Sequence, residues 1–140
     1  DITEENIQKV RICAEKWYSE NSDRLDKYAL VEREGVLKVL QNIDYLKVSG
    51  GAIFVKDEAV AFTLGTPING KVFDIFAEKA LPEFAEGYTV INNQFAKQLT
   101  GYKYINREDD MGLEGLRRAK LSYKPAVNMK KYAFKPKENL

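Results

Sequence analysis

The feature that most restricts the fold of this chain is a block of three strand-like runs in its middle. Ala52–Val55 and Ala59–Leu64 are apolar and are separated by Asp57-Glu58, so we expect them to pair as a hairpin. Asn69-Gly70 marks the next turn, and Lys71–Ala77 alternates sides as a third strand. The sequence therefore predicts an antiparallel meander of three strands.

Helical periodicity flanks this block on both sides. Apolar residues at three- and four-residue spacing predict helices over residues 3–20, 25–46 and 86–99. Thr3 is the expected cap of the first helix, and Gly35 is expected to kink or split the second. Helices on both faces of an antiparallel meander define the α+β fold that the sequence predicts.

The stretch that follows the third helix runs from a strand through a polar turn into a basic helix. Tyr102–Asn106 alternates as a strand, and Gly112–Ser122 is the expected helix, with Asp109 or Asp110 as its cap. Corners of this kind commonly carry sites, because the strand end is rigid and the first helical N–H groups are free. A last strand is predicted after this helix, over Ala126–Met129, with its end placed between Met129 and Phe134.

The composition indicates one globular domain and excludes some chemistry. The 140 residues suffice for a single core, which we assign to residues 1–134, with residues 135–140 as a flexible tail. No apolar run is long enough to cross a membrane and no signal peptide is visible. The single cysteine, Cys13, excludes an internal disulfide, and together these features predict a cytoplasmic protein. Without histidine there is no Ser-His-Asp triad and no His-ligated metal, and we predict no metal site.

The charges are unevenly distributed along the chain. The formal net charge is +1, but residues 117–140 hold eight Lys/Arg against one acid, a net charge of +7. The remainder of the chain holds 14 Lys/Arg against 20 Asp/Glu, a net charge of −6. The basic segment could attract tRNA, a phosphate-rich cofactor or an anionic membrane surface, and the alternative is an ordinary solvated face.

The order of the predicted elements is that of the GNAT (N-acetyltransferase) fold with its first strand missing. A narrower resemblance rests on six segments: Gly50–Val55, Ala59–Gly65, Glu78–Ala80, Ile91–Phe95, Ile105–Gly112 and Gly115–Pro125. Together they resemble a family of uncharacterised bacterial proteins related to the C-terminal domain of phosphatidylglycerol lysyltransferase. The resemblance covers about residues 25–134. It implies the second half of a tandem protein, with an N-terminal acetyltransferase-like domain as partner, and a chain that starts at Asp1 fits such a fragment.

The resemblance also implies a function. Members of the wider superfamily transfer acyl groups, so we expect an acyl- or aminoacyl-transferase with an aminoacyl-tRNA or acyl-CoA donor and an amine or hydroxyl acceptor. The alternative is a non-catalytic structural or binding half. In the superfamily a Gly-rich loop holds the cofactor's pyrophosphate after the meander. Residues 78–87 stand there in this chain and contain one glycine and three glutamates. This departure disfavours acyl-CoA binding in the usual manner, and it favours the non-catalytic alternative.

The candidate site residues fall into two groups. Glu108 is a candidate base, and Tyr123 matches the position where the acetyltransferase fold often has a general acid. The anion-binding candidates are Arg107, Arg117, Lys120, Lys79 and Asn93. Arginine suits this role because its fork binds a phosphate or carboxylate through two hydrogen bonds. The alternatives are an ion pair of Arg107 with the acids beside it, a solvated helix surface for the other cations, and ordinary packing for Tyr123.

Overall fold

The structure is a computed structural model that describes residues 1–21, 27–132 and 134. The chain forms two compact units, Asp1–Glu108 and Asp109–Leu140. The single domain predicted over residues 1–134 contains parts of both units. The predicted tail, residues 135–140, lies outside the described residues.

The first unit is built on a four-stranded mixed sheet. Its strands are β1 (Ser49–Val55), β2 (Glu58–Asn69), β3 (Val72–Ala80) and β4 (Tyr104–Asn106), and they lie in the order β1-β2-β3-β4. The β1–β2 and β2–β3 pairs are antiparallel, so the predicted meander is confirmed. β4 joins β3 as a parallel neighbour, since α3 (Gly87–Gln98) carries the chain back across the sheet before β4 begins.

Helices cover both faces of the sheet, as the sequence predicts. α1 (Ile7–Glu20) and α2 (Lys27–Gln41) pack on one face, and α3 packs on the other. The smaller core, on the α3 face, contains buried Phe73, Ile75 and Phe95. The larger core, beneath α1 and α2, contains buried Val10, Cys13, Ala14, Val36, Leu40, Ile43, Ala59, Val60, Phe62, Leu64, Ala77 and Leu81.

The strict alternation predicted for the third strand is interrupted by a bulge. Leu64 pairs with Ala77 and Gly65 pairs with Ile75, so Phe76 is an extra residue in β3. As a result Ile75 packs in the core under α3, whereas Ala77 packs in the core under α1 and α2. The bulge thus changes the face of the odd-numbered residues of β3 from the α3 side to the side of α1 and α2.

Three predictions about the first two helices need correction. α1 begins at Ile7, and Thr3 contributes its backbone carbonyl, which accepts hydrogen bonds from the N–H groups of Asn6 and Ile7. α2 runs unbroken through Gly35, and nothing lies within 4 Å of the place that a Cβ would occupy there. The helix ends at Gln41 rather than at residue 46, and its predicted start at residue 25 lies outside the described residues.

The second unit contains α4 (Glu114–Ser122), and its other described residues form no helix or strand. Leu113 occupies the N-cap position, and no side chain caps the helix. The predicted cap at Asp109 or Asp110 is therefore wrong: these carboxylates accept hydrogen bonds from the Met111 and Gly112 N–H groups, before the helix starts. The strand predicted after the helix, over Ala126–Met129, is also wrong, because no strand pairs with it in the described part of the chain.

Candidate functional site

The parallel contact between β3 and β4 is short and leaves a gap. Register pairs run only from Val72–Tyr104 to Asp74–Asn106. β3 then continues to Ala80, six residues past the last pair, while β4 ends at Asn106. Backbone pairing thus joins the two strands at one end only, and the gap is the stretch beyond Asp74 where β3 has no β4 partner.

An ion pair lies across this gap. Arg107 follows β4 directly, and its Nη2 donates to Oε1 of Glu78 on β3 at 2.9 Å. The Glu78 side chain is only 8% exposed and that of Arg107 is 23% exposed. Burying two charged groups costs desolvation free energy, so proteins retain such a pair where geometry or function needs it.

A polar row extends from this pair across the α3 face of the sheet. Thr63 on β2 is paired with Glu78 on one side and with Gly51 on the other. Cross-strand neighbours of this kind have their Cβ atoms about 5 Å apart. The Thr63 hydroxyl is fully buried and has no hydrogen-bond partner among the described residues. A Cβ at Gly51 would lie 3.2 Å from the ring of Phe95 and 3.7 Å from the methyl group of Thr63, so α3 packs closely over this end of the row.

A second set of hydrogen bonds holds the end of β4. Nδ2 of Asn106 donates to the buried carboxylate of Asp74 at 2.7 Å, and its Oδ1 accepts from the backbone N–H of Glu108 at 3.2 Å. Glu108 has a φ of +56°, in the left-handed region that non-glycine residues seldom adopt. Its side chain is exposed, so the candidate base points to solvent at the end of a constrained turn.

Lys79 lies on the opposite face of the sheet from the Glu78–Arg107 pair. Its Nζ is 4.4 Å from the centre of the Trp17 ring and pairs with Glu32 at 2.9 Å. The Lys79 side chain is 12% exposed. This residue therefore joins α1 and α2 to the sheet, and the structure does not bring it together with Arg107.

The other candidate in the first unit is also separate from the pair. Asn93 lies on α3 and is exposed, whereas the buried residues of that helix are Gly87, Ile91 and Phe95. Its side chain therefore lies away from the sheet. As a proposed anion ligand, Asn93 would act at the outer surface of α3.

Two predicted residues, Arg117 and Lys120, lie in the second unit, in an ion-paired turn. Arg117 donates to Asp110 at 2.5 Å, Lys131 pairs with Asp109 at 2.8 Å, and Lys120 donates to the backbone carbonyl of Asp109 at 2.6 Å. The hydrogen bond from Lys131 lowers the pKa of Asp109 below its usual value, and that from Arg117 does the same to Asp110.

Tyr123 and Lys124 follow α4 rather than belonging to it. Tyr123 is the C-cap residue of the helix, and its ring is exposed. Lys124 has a φ of +50°, so it lies past the helical turn. Lys124 therefore does not share a helix face with Arg117 and Lys120, because the helix ends at Ser122.

Sequence reasoning singled out Arg107 and also Glu78, which lies in a family-like segment, but it did not pair the two residues and it missed Thr63. The available signal was the presence of Asp74 and Glu78 in a strand that is otherwise mostly apolar, since charged residues seldom lie inside a buried strand. Among the described residues, no three His, Cys, Asp or Glu side chains form a group suited to a metal ion. In the same part of the chain, no helix combines the length and apolar content needed to cross a bilayer.

Solved structures define the class of this fold. A possible acetyltransferase from Clostridium difficile 630 has a TM-score of 0.62 and 13% identity, and the match covers 98% of this chain and 95% of that one. A ribosomal-protein-alanine N-acetyltransferase from Brucella melitensis biovar Abortus 2308 also has a TM-score of 0.62, with 11% identity and 94% coverage of both chains. The chain therefore has the acyltransferase-like GNAT fold.

The family is narrower than the fold. Residues 1–135 match the model of the phosphatidylglycerol lysyltransferase C-terminal domain, and the chain belongs to that family. A conserved protein of unknown function from Bacteroides thetaiotaomicron VPI-5482 is 38% identical to this chain, with a TM-score of 0.84. That match covers 90% of this chain and 43% of the other, so this chain spans less than half of its relative. No curated protein matches the chain.

Proposed function

We propose that this chain is a transferase domain that moves an acyl or aminoacyl group from an activated donor to an amine or hydroxyl. The observation that carries the proposal is the Glu78–Arg107 pair in the gap between β3 and β4. In acyl transfer a nucleophile attacks a carbonyl, a base takes its proton, and hydrogen-bond donors stabilise the oxyanion. A buried carboxylate beside a guanidinium supplies a base and a donor at one place.

The proposed roles follow from these positions. Glu78 accepts the proton of the attacking amine or hydroxyl, and Arg107 orients the carboxylate and donates to the reacting carbonyl. Glu108 and Tyr123 remain the alternative base and the proposed general acid. In the second unit, Arg117 and Lys120 are the proposed phosphate ligands, and a phosphate would have to displace their present contacts with Asp110 and Asp109.

The loop after β3 favours aminoacyl-tRNA over acyl-CoA as the donor. Glu83 is paired with Lys16 at 2.6 Å, and Glu86 directly precedes α3, so acids surround the start of that helix. The one glycine of the loop, Gly87, allows close packing: a Cβ there would lie 3.2 Å from the Cβ atoms of Ala61 and Ala80. A pyrophosphate would meet negative charge at this helix end.

The same loop supports the second candidate function, a non-catalytic half of a tandem protein. In this alternative the domain supports an N-terminal acetyltransferase-like partner or binds an anionic ligand. A cytoplasmic location suits both candidates. The two candidates differ in whether a donor binds and whether a group is transferred.

The test is a donor screen followed by transfer assays. Acyl-CoA, free CoA, aminoacylated tRNA and uncharged tRNA are added at fixed salt, and the melting temperature is recorded, since a saturating ligand stabilises the folded state by about 2–4 kcal/mol. We expect aminoacylated tRNA to stabilise the protein more than uncharged tRNA. Stabilisation by acyl-CoA would instead identify a thioester donor and refute our interpretation of the loop.

Variants then identify the base. Glu78→Gln keeps the shape of the side chain and should lower the transfer rate about 100-fold or more while donor binding persists. Glu32→Gln is the matched control, because it removes one carboxylate from the opposite face of the sheet. Full activity of Glu78→Gln with loss in Glu108→Gln would assign the base to Glu108. No stabilisation and no transfer with any donor would leave the non-catalytic function.

A further inference from the structure

Asn106 lies where backbone pairing between β3 and β4 stops. Its Nδ2 donates to the carboxylate of Asp74 at 2.7 Å, and its Oδ1 accepts from the backbone N–H of Glu108 at 3.2 Å. We call these two hydrogen bonds the Asn106 bridge. Asp74–Asn106 is also the last register pair of the two strands. The bridge therefore fixes the backbone on both sides of Arg107, the residue that pairs with Glu78.

The Asn106 side chain and the ion pair lie on opposite faces of the sheet. Ile105 packs against the small core under α3, and successive strand residues alternate, so Asn106 faces away from α3 and Arg107 faces toward it. A group that reacts at the Glu78–Arg107 pair is on the α3 face and does not meet the Asn106 side chain. Any effect of Asn106 on the reaction therefore acts through Arg107.

The position of Arg107 is sensitive because its side chain has to reach along the gap. If the register continued, Arg107 would lie opposite Ile75, and Glu78 is three residues further along β3, up to roughly 10 Å away along the strand. A small rotation of the Arg107 backbone would therefore move its guanidinium out of the 2.9 Å contact with Glu78. Glu108, the next residue, has a left-handed φ of +56°, a costly conformation that persists only where surrounding contacts hold it.

We propose that Asn106 is a positioning residue, which together with Asp74 holds the guanidinium of Arg107 against the carboxylate of Glu78. The catalytic part of this proposal rests on the proposed function, in which Glu78 is the base and Arg107 donates to the reacting carbonyl. A misplacement of about 1 Å can cost about 100-fold in rate. Loss of the Asn106 bridge should therefore slow transfer although both members of the ion pair are still present.

The first measurement needs neither a donor nor an acceptor. Urea unfolding of the parent protein, Glu78→Gln, Arg107→Ala and the double variant gives the coupling free energy of the ion pair. The same cycle is then measured with Asn106→Asp present in all four proteins, a substitution that keeps the acceptor oxygen but replaces the N–H donor with a carboxylate that faces Asp74. We expect the coupling to fall to about half of its parent value or less. An asparagine that only stabilised the sheet would lower the stability of all four proteins equally and leave the coupling unchanged.

A second substitution tests the hydrogen bond itself. Adding Asp74→Asn to Asn106→Asp exchanges the carboxylate and the amide, so the amide at position 74 can donate to the carboxylate at position 106. We expect this exchange variant to recover the coupling of the ion pair. Asn69→Asp is the matched control, because the Asn69 side-chain oxygen also accepts from backbone N–H groups, in the turn before β3, and this variant should keep the parent coupling.

The second measurement is transfer with aminoacylated tRNA as the donor. Asn106→Asp should lower kcat about 30- to 100-fold with little change in the KM of the donor, because the base and the donor group are misaligned rather than removed. The exchange variant should return kcat to within about threefold of the parent protein. Reduced coupling with an unchanged kcat would refute the catalytic part of the proposal.

The proposal is overturned if the ion pair keeps its full coupling in the presence of Asn106→Asp. It is also overturned if the exchange variant melts like the parent protein but does not recover the coupling. If Asn106→Asp does not fold, Asn106→Ala, which adds no charge, takes its place with the same expectation, and full coupling in that variant overturns the proposal equally. Absence of transfer with every donor contradicts the proposed function alone, since the coupling still decides whether the Asn106 bridge holds the pair.

Discussion

Replacing Arg107 with alanine should destabilise the first unit strongly. The change removes the cation that faces a carboxylate only 8% exposed, and breaking a buried pair typically costs about 3–5 kcal/mol. Because the Arg107 side chain is itself 23% exposed, water can partly solvate the site, and we reduce the expected cost to about 2–4 kcal/mol.

The assay is thermal and urea unfolding of four proteins. A loss of this size should lower the melting temperature of a chain of this length by about 8–16 °C. The parent protein, Arg107→Ala, Glu78→Gln and the double variant form a cycle that isolates the energy of interaction between the two side chains. We expect a favourable coupling of about 1–3 kcal/mol. Arg118→Ala, on an exposed part of α4, controls for loss of an arginine and should change the melting temperature little.

One result would refute this reasoning. If Arg107→Ala melts within about 2 °C of the parent protein, the ion pair contributes little to stability. If Arg107→Ala keeps the melting temperature of the parent protein but loses transfer activity, Arg107 binds a ligand in the gap between β3 and β4 and does not stabilise the fold. If it loses neither stability nor activity, Arg107 has neither role.

Three other perturbations test the packing and the charges. Gly65→Ala would place a methyl group against the ring of Phe73 and a backbone carbonyl, and should lower the free energy of unfolding in urea by about 3 kcal/mol. Gly35→Ala has nothing near it and should raise that free energy by about 0.5–1 kcal/mol, so equal effects of the two variants would contradict the packing of β2. Burial raises the pKa of Cys13 to about 11, so a thiol reagent should label it at neutral pH far more slowly than a cysteine peptide, and fast labelling would show that the core opens. The pKa values of Asp109 and Asp110 are lowered in the folded protein, so their contribution to the stability of the second unit is present above about pH 4 and is lost as the pH falls through the folded-state values. Amide NMR signals of α4 that stay unchanged down to about pH 2 would contradict this prediction.

Local pattern was enough to predict the order of the helices and strands from α1 to α4. The hairpin and the turn at Asn69-Gly70 carry their own signals, because apolar alternation and turn residues are encoded within a few positions. The β3 bulge at Phe76 has no such signal, since it depends on how two strands fit their helices. Ala126–Met129 shows the converse error: a strand-like run remains unpaired when no strand edge is available to it.

The candidate site was harder to predict for the same reason. Arg107 was identified by its place after a strand, but its partner Glu78 lies 29 residues earlier in the chain. Acids next to Arg107 in the sequence were the natural candidates, and only the parallel arrangement of β3 and β4 brings Glu78 within reach. Lys79 follows Glu78 in the sequence but does not share its site, because adjacent residues in a strand face opposite sides of the sheet.

The single tryptophan gives the protein a built-in optical probe of its first unit. A lysine Nζ lies 4.4 Å above the Trp17 ring, and the indole N–H donates to the hydroxyl of Tyr88 on α3 at 3.1 Å. Both contacts are lost when that unit unfolds, so the emission of Trp17 should change at the same step. Residues 109–140 contain no tryptophan, and their melting is silent in this signal. Circular dichroism, which also records α4, can therefore show a transition that fluorescence does not.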